Sequence, residues 1–430
     1  MPKTITLDHI TKIEGHASLT VAVKDGKVRT CELGSTEGAR FFEGLVRGRN
    51  YDDAVEMTMR ICGICSVSHY TASIKALENA MGVTVTQQTK TMRDLMAIGE
   101  RIRSHATHLY FLSLPDFKGY ESALAMAPRY KREINDALAL MRAGNEIVTA
   151  LGGRQMHPMG GRIGGFTHEP SRAQIARLIA ELKNAEEPAL RTLQLFLKLK
   201  YPKFTMPREH LSLRQASGFP LITGDIVSDT GEKIPEHDYE SYFQEYVSRH
   251  STAKFVVKGK KSFMLGALAR VNNNRDLIDK DVQRVLARAG VSFPSKNPFH
   301  NLVAQAIELV HWVRRGRTLL AQYRNGFKHE TVKVVPCAGN GVGVVEAPRG
   351  LLFHTYTVNE KGIVTRANIM TPTCQQLKAM EEDVKAYLQS LLDKGVKRAE
   401  IPLELEKLIR AYDPCFSCST HFLKVHWDGD

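Results

Sequence analysis

The chain has 430 residues, 43% of them hydrophobic and 24% charged, and a formal net charge of +13. That composition supports a large buried core and excludes global disorder. The length fits two or three domain-sized units or one large, elaborated domain, and no uninterrupted apolar run approaches the ~20 residues of a membrane span.

Residues 3–33 alternate in strand fashion around KDGK, an expected hairpin turn because Asp-Gly tolerates positive φ. A helical pattern over 51–82 is interrupted by CGIC, where a break is expected. Further helices are expected near 89–113, 119–150, 171–198, 276–288 and 299–323. The glycine-rich connector ALGGRQMHPMGGRIGGF (150–166) lacks the lysine and hydroxyl of a phosphate loop and reads as a long buried or binding loop. KFVVKGKKSF (254–263), the densest basic stretch, reads as strand edge or loop. Strands return after 330 in VKVVPC, VGVVEAP, GLLFHTYTV and GIVTRANIM, followed by helices at 375–394 and near 400–410. The expected class is α+β, mainly helical, with a helical middle between β-containing ends.

Elsewhere Lys and Arg are scattered among acids, as in IGERIRSH and MEEDVKAY. With no zinc-finger spacing and no aromatic-rich RNA-binding signature, the basic excess reads as solvated surface or as a face toward an acidic partner, not as a nucleic-acid interface. The start, MPKTITLDHITKIEGH, lacks the apolar stretch of a secretory signal, so a cytoplasmic location is expected.

Seven cysteines in such a chain argue against a disulfide framework and for metal or redox use. Cys62 and Cys65 form a C-x-x-C pair in TMRICGICSVSHY, and Cys415 and Cys418 form another in YDPCFSCSTHF. Thiolates are strong ligands for zinc, iron–sulfur clusters and nickel, and two such pairs can supply four sulfurs to one centre. Spacing alone leaves open a closed structural site, a catalytic one, or coincidence. Zinc ribbons usually close a loop of ~15–20 residues, far less than the gap here. A thioredoxin-like dithiol needs only one pair in a strand–helix context, and haem attachment needs His where Ser66 and Ser419 stand. Ionisable neighbours, namely Arg60, His69, Asp413 and His421, suit a working site better than a closed staple. Cys31, Cys337 and Cys374 lack partners at useful spacing and read as buried or incidental.

RICGIC with a following His, and DPCFSCSTH near the C-terminus, resemble the two signature motifs of the [NiFe] hydrogenase large subunit. ITKIEGHASL, FFEGLVRGR, HPMGGRIGG, VEAPRGLLFH and MTPT resemble further family elements in the family's order, with Lys12 where Arg is usual. The quinone-site subunit of respiratory complex I shares this fold but has lost the four cysteines. The resemblance covers nearly the whole chain. It implies one large catalytic domain, 1–430, with a central helical bundle: a β-containing region 1–50, a helical core 51–330, a mixed region 331–421 and a cleavable tail 422–430.

The resemblance implies Cys62 and Cys415 as terminal nickel ligands, and Cys65 and Cys418 as bridges between nickel and iron. The iron would carry carbon monoxide and two cyanides, with Pro372 and Thr373 lining the cyanide pocket. Arg349 would stand over the metals, unless it merely pairs with Glu346 or another carboxylate. Magnesium would be held by Glu43, His421 and the backbone carbonyl of Ile369, unless Glu43 is an ordinary exposed helix residue. Splitting dihydrogen needs a Lewis acid and a base on either side of the bond. Cys415 is the favoured base, with Arg349 acting by electrostatics and orientation because arginine almost never deprotonates. Glu14 is the expected proton relay.

No spare cysteine set remains for iron–sulfur clusters, so these are expected only in a partner small subunit. Ser104 stands where many membrane-linked relatives carry Asp, and Gln376 where the family usually has Asn. These departures, the short length and the SCSTH ending resemble the soluble, cofactor-coupled branch. The expected acceptor is therefore NAD(P), reached through further flavin- or nicotinamide-binding subunits, with a deazaflavin or a disulfide-reducing partner as alternatives. A maturation protease is expected to remove FLKVHWDGD after His421. The competing reading is a non-catalytic scaffold of a larger redox complex, its four cysteines closing a structural metal site.

Overall fold

The computed structural model describes residues 3–216 and 218–420. An antiparallel meander opens the chain: Lys3–Leu7, Ala17–Lys24 and Lys27–Ser35. Its second strand buries Ala17, Leu19 and Val21 in strict alternation, as a half-buried strand should. Asp25 and Gly26 turn the hairpin with φ of 53° and 71°, the left-handed pair expected of Asp-Gly.

The CGIC segment does break the helical pattern. One helix covers Tyr51–Thr58 and a tight turn Met59–Ile61, and a second helix covers Ser66–Ala80. The core of the molecule is a ring of four long helices: Gln87–Thr107, Lys131–Gly152, Arg172–Leu197 and Asn301–Gln322, each packed on two of the others. Gly99 and Gly144 permit the closest crossing. A Cβ on either would lie 2.4–2.7 Å from the other's carbonyl oxygen. A Ser171–Gln174 capping box starts the third helix where the sequence pattern places it.

Three expectations need correction. The helix expected over 119–150 starts only at Lys131, after short helices Leu114–Lys118 and Ala123–Met126. Pro128 disfavours helix in the residue before it and separates them. Between the bundle's third and fourth helices the chain forms sheet as well as helix: Glu209–Arg214, Asp225–Ser228, Lys233–Ile234 and Phe263–Met264 in one sheet, and the hairpin Phe243–Val247 with Lys254–Lys258. Lys254–Lys258 falls within the stretch read as strand edge or loop, while the others are too short for their alternation to register in sequence. VKVVPC joins no ladder among the described residues: the Val332 N–H bonds to Gly164 O at 2.8 Å, the adjacent Thr331 bridges to Gly165, and the Cys337 thiol donates to Met81 O at 3.5 Å.

A second meander, Gly339–Ala347, Gly350–Val358 and Val364–Met370, sets the position of the site. The Ser66–Ala80 helix lies directly on it because Gly339, Gly341 and Gly343 face the backbone of Ala80, Ala76 and Ala72. The helix runs antiparallel to the strand, so its first turn, just after Cys65, comes to the hairpin tip that carries Arg349. Helix Pro372–Asp393 packs on the N-terminal meander, and helix Ile401–Ala411 leads to the second cysteine pair. No helix among the described residues is long and apolar enough to cross a membrane.

Candidate metal centre

The Sγ atoms of Cys62, Cys65, Cys415 and Cys418 all lie within 4.8 Å of one another, and all four residues are buried. Cys62 and Cys415 are 3.7 Å apart, Cys65 and Cys418 are 3.3 Å apart, and Cys415 touches Cys418. Cys65 is the N-cap of the Ser66–Ala80 helix, whose exposed N–H dipoles favour negative charge there. Glu100 accepts the next free N–H groups, from Val67 at 2.7 Å and Ser68 at 3.1 Å. Arg40 ties the two motifs together by donating to the carbonyls of Ile61 and Ser417.

The N-terminal IEGH segment runs alongside the second pair. Glu14 bridges in parallel to Cys415, and its carbonyl accepts the Phe416 N–H at 2.9 Å. The Cys415 thiol donates to Glu14 Oε2 at 2.9 Å, and the Ser417 hydroxyl donates to Oε1. Lys12 pairs with Asp116, which also takes Arg410 at 2.6 Å. Arg410 in turn donates to Thr11 O at 2.8 Å, so the segment is anchored just upstream of Glu14.

Arg349 does pair with a carboxylate, and the partner is Asp413. Its Nε donates to Asp413 O at 2.7 Å and its Nη2 to Oδ1 at 2.8 Å. Asp413 itself adopts a φ of 54°, and its Oδ2 accepts from Gln305 at 3.0 Å. Burial disfavours the guanidinium charge, but Asp413, and the cysteine sulfurs when ionised, hold it protonated. Nη1 of Arg349 is buried without a partner. Arg349 lines a closed pocket together with Pro372, Thr373 and the thiols of Cys65, Cys415 and Cys418. Thr373 Oγ1 also accepts the Cys415 N–H at 2.8 Å.

These residues fit a metal centre. The contact with Cys62 and then burial push the Cys65 thiol well above its ordinary range. Four sulfurs this close cannot all ionise beside one guanidinium unless a cation joins them.

Glu43 is not an ordinary exposed residue. Its carboxylate accepts the Ile369 N–H at 2.9 Å and pairs with Lys254 Nζ at 2.7 Å, and burial raises its pKa. The structure thus brings Glu43 and the backbone of Ile369 together. His421, the third expected magnesium ligand, lies outside the described residues. Cys374 is buried, Cys31 half-buried and Cys337 exposed, away from the four.

Sequence reading named His69 and Asp413 as ionisable neighbours but missed their buried partners. His69 Nδ1 lies 3.0 Å from His354 Nε2, and His354 Nδ1 lies 2.8 Å from Tyr356 Oη. Burial, and then Arg40, pushes His69 down to about 3, so that ring is neutral. The only available signal for Asp413 was its place beside Cys415 in DPC.

Four buried thiols within reach of one another, beside one arginine and one glutamate, define a thiolate-held metal protein. The model of the nickel-dependent hydrogenase family matches residues 40–146 and 253–421. The chain is 36% identical over 424 residues to sulfhydrogenase 1 subunit alpha of Pyrococcus furiosus, covering 98% of each. It is 29% identical over 473 residues to the beta subunit of the NAD-reducing hydrogenase HoxS of Cupriavidus necator, covering 98% of this chain and 96% of that one. Its structure resembles a crystal structure of an NAD+-reducing [NiFe]-hydrogenase in the H2-reduced state. The TM-score is 0.88 at 26% identity, over 97% of this chain and 99% of that one. The chain belongs to the nickel-dependent hydrogenase family. It is a [NiFe] hydrogenase large subunit, and nickel and iron are the metals that its family and its four cysteines support.

Proposed function

We propose that Cys62 and Cys415 would hold nickel terminally, that Cys65 and Cys418 would bridge it to iron, and that Pro372 and Thr373 would line the pocket for the iron's carbon monoxide and two cyanides. Such a centre supplies the Lewis acidity that polarises dihydrogen for heterolytic cleavage. The protein supplies the base and the dry pocket. The Cys415 sulfur takes the proton and passes it to Glu14, 2.9 Å away, and that short contact is the observation that carries the reading. Arg349, fixed by Asp413 and lining the pocket beside the sulfurs, keeps its charge there and orients without exchanging a proton.

Electrons leave through iron–sulfur clusters in a separate small subunit and reach NAD(P) through further subunits in the cytoplasm. The likeness to NAD+-reducing relatives supports that acceptor. The chain works as one catalytic domain. Glu43, the Ile369 carbonyl and His421 would hold magnesium, with Lys254 beside the Glu43 carboxylate. A protease removes residues 422–430 during maturation.

Exchange of deuterium gas with water protons tests the reading. The protein, purified with its partners and processed after His421, is expected to exchange, and Glu14→Gln to slow exchange about 10²-fold with nickel retained. A nickel-loaded wild type that exchanges nothing contradicts the reading. Reduction of NAD+ or NADP+ under hydrogen by the same preparation tests the acceptor, and failure with both contradicts it.

A further inference from the structure

Arg349 occupies a two-residue turn. Ala347 pairs with Gly350, leaving Pro348 and Arg349 at the hairpin tip. Four successive carbonyls of this tip end on buried side-chain donors. Glu346 O accepts from Arg101 Nη2, and Ala347 O accepts from Arg101 Nη1 at 2.9 Å and Arg270 Nη1 at 3.2 Å. Pro348 O accepts from Arg270 Nη2 at 2.9 Å, and Arg349 O accepts from Gln376 Nε2 at 3.1 Å.

Arg270 is held by two carboxylates as deeply buried as it is, and Arg101 Nη1 lies 4.0 Å from one of them, Glu308. Glu308 takes Arg270 bidentately, at 2.6 and 2.8 Å. Glu346 takes Arg270 Nη1 at 2.9 Å on one oxygen and the Leu213 N–H at 2.8 Å on the other. His105 Nε2 lies 2.7 Å from Glu308, and burial pushes that imidazole down to about 4, so it adds no charge. The cluster is thus two cations and two anions, each 2% exposed or less.

Burying such a set is seldom a gain in stability, because desolvating the ions offsets most of their attraction. What it does provide is geometry. Arg101 lies on the Gln87–Thr107 helix, Glu308 on the Asn301–Gln322 helix and Arg270 on the Gly266–Asn273 helix between bundle and sheet. The planar fork of each arginine fixes the direction of the carbonyls it grips, which a lysine cannot do.

We propose that Arg101 and Arg270, with Glu308 as their counter-ion, are positioning residues for Arg349: they set where its guanidinium stands over the four sulfurs by holding the carbonyls of its turn. This rests on the reading of Arg349 as a working residue.

Three variants of the complete, metal-loaded complex test it: Arg349→Lys, Arg270→Lys and the double. Readouts are deuterium exchange, nickel content, melting temperature and the infrared bands of the centre. Arg270→Lys is expected to lower exchange by about 10–10²-fold, the scale of a ~1 Å misplacement. Nickel should be retained and the bands shifted in the same direction as in Arg349→Lys. The double variant is expected to be no slower than Arg349→Lys alone, because both changes act through one group. Effects that multiply, or an Arg270→Lys exchange rate within twofold of wild type, overturn the proposal. If Arg349→Lys itself exchanges at the wild-type rate, the reading of Arg349 fails, and the proposal fails with it. If Arg270→Lys yields no loaded protein, Arg101→Lys carries the same test, since Ala347 O keeps its bond from Arg270.

Discussion

Gly343→Ala is the sharpest test of how the site is assembled. Its Cβ would stand 2.2 Å from Ala72 O and 2.6 Å from Ala76 N, so the strand and the Ser66–Ala80 helix would have to separate by about 1 Å to reach ordinary contact. A gap of that size forfeits roughly a quarter to a half of the dispersion attraction along the contact. With overpacking strain the cost is about 2–4 kcal/mol. Unfolding entropy of about 2.1 cal/mol/K per residue makes this a loss of only about 2–4 °C in melting temperature for a chain of this size. The sign is therefore more telling than the size. At an uncrowded position the same exchange stabilises by about 0.4–1 kcal/mol, because alanine has less freedom to lose. Gly38, where an added Cβ would meet nothing within 4 Å, is the matched control. Scanning calorimetry of wild type, Gly343→Ala and Gly38→Ala should place the first variant below wild type and the second at or above it. Nickel content should fall in Gly343→Ala alone, since the shift parts Cys65 from Arg349. Equal melting temperatures for the two variants refute the reasoning.

Burial lifts the Asp94 carboxyl to about 6, against the pull of Arg315. Its folded pKa is above the unfolded one, so its contribution is fully present below about pH 4 and is lost as pH rises through about 6. Asp94→Asn should therefore be more stable than wild type at pH 7 by about 1–3 kcal/mol, discounted for partial exposure, and indistinguishable at pH 4. Equal denaturant midpoints at pH 7 would contradict this. Glu100→Ala strands the N–H groups of Val67 and Ser68, and should lower stability by about 2–4 kcal/mol and cut nickel loading; unchanged nickel content would show that this cap does not hold the CGIC segment. Native chain treated with iodoacetamide at pH 8 should be labelled at exposed Cys337 and spared at Cys31 and Cys374, whose thiols burial pushes up to about 12. Peptide mass spectrometry reads the sites, and early labelling of Cys31 contradicts the shift.

What the sequence disclosed and what it hid divide along physical lines. The bundle was legible because helices of 21 to 26 residues repeat their apolar stripe many times. The first hairpin was legible because Asp25-Gly26 has few other conformational uses. Strands such as Asp225–Ser228 repeat their alternation only once or twice and take their state from their neighbours. Buried ions were the harder case. Arg101, Arg270 and Glu308 look like surface charges on helices, and only the tertiary fold reveals that they face inward. Glu346, a candidate partner for Arg349, instead serves Arg270, while Asp413 takes Arg349. Glu43 likewise turned out partly buried beside Lys254. The cysteine motifs stood out because four thiols and their neighbours are chemically specific, whereas the grouping of the four required the fold.

An infrared spectrum with metal analysis, taken on the processed protein purified with its natural partners, tests the central claim most directly. The expected result is sharp bands in the carbon monoxide and cyanide stretching region, with nickel and iron each near one per large chain. Zinc in place of nickel and iron, with no such bands, would contradict it.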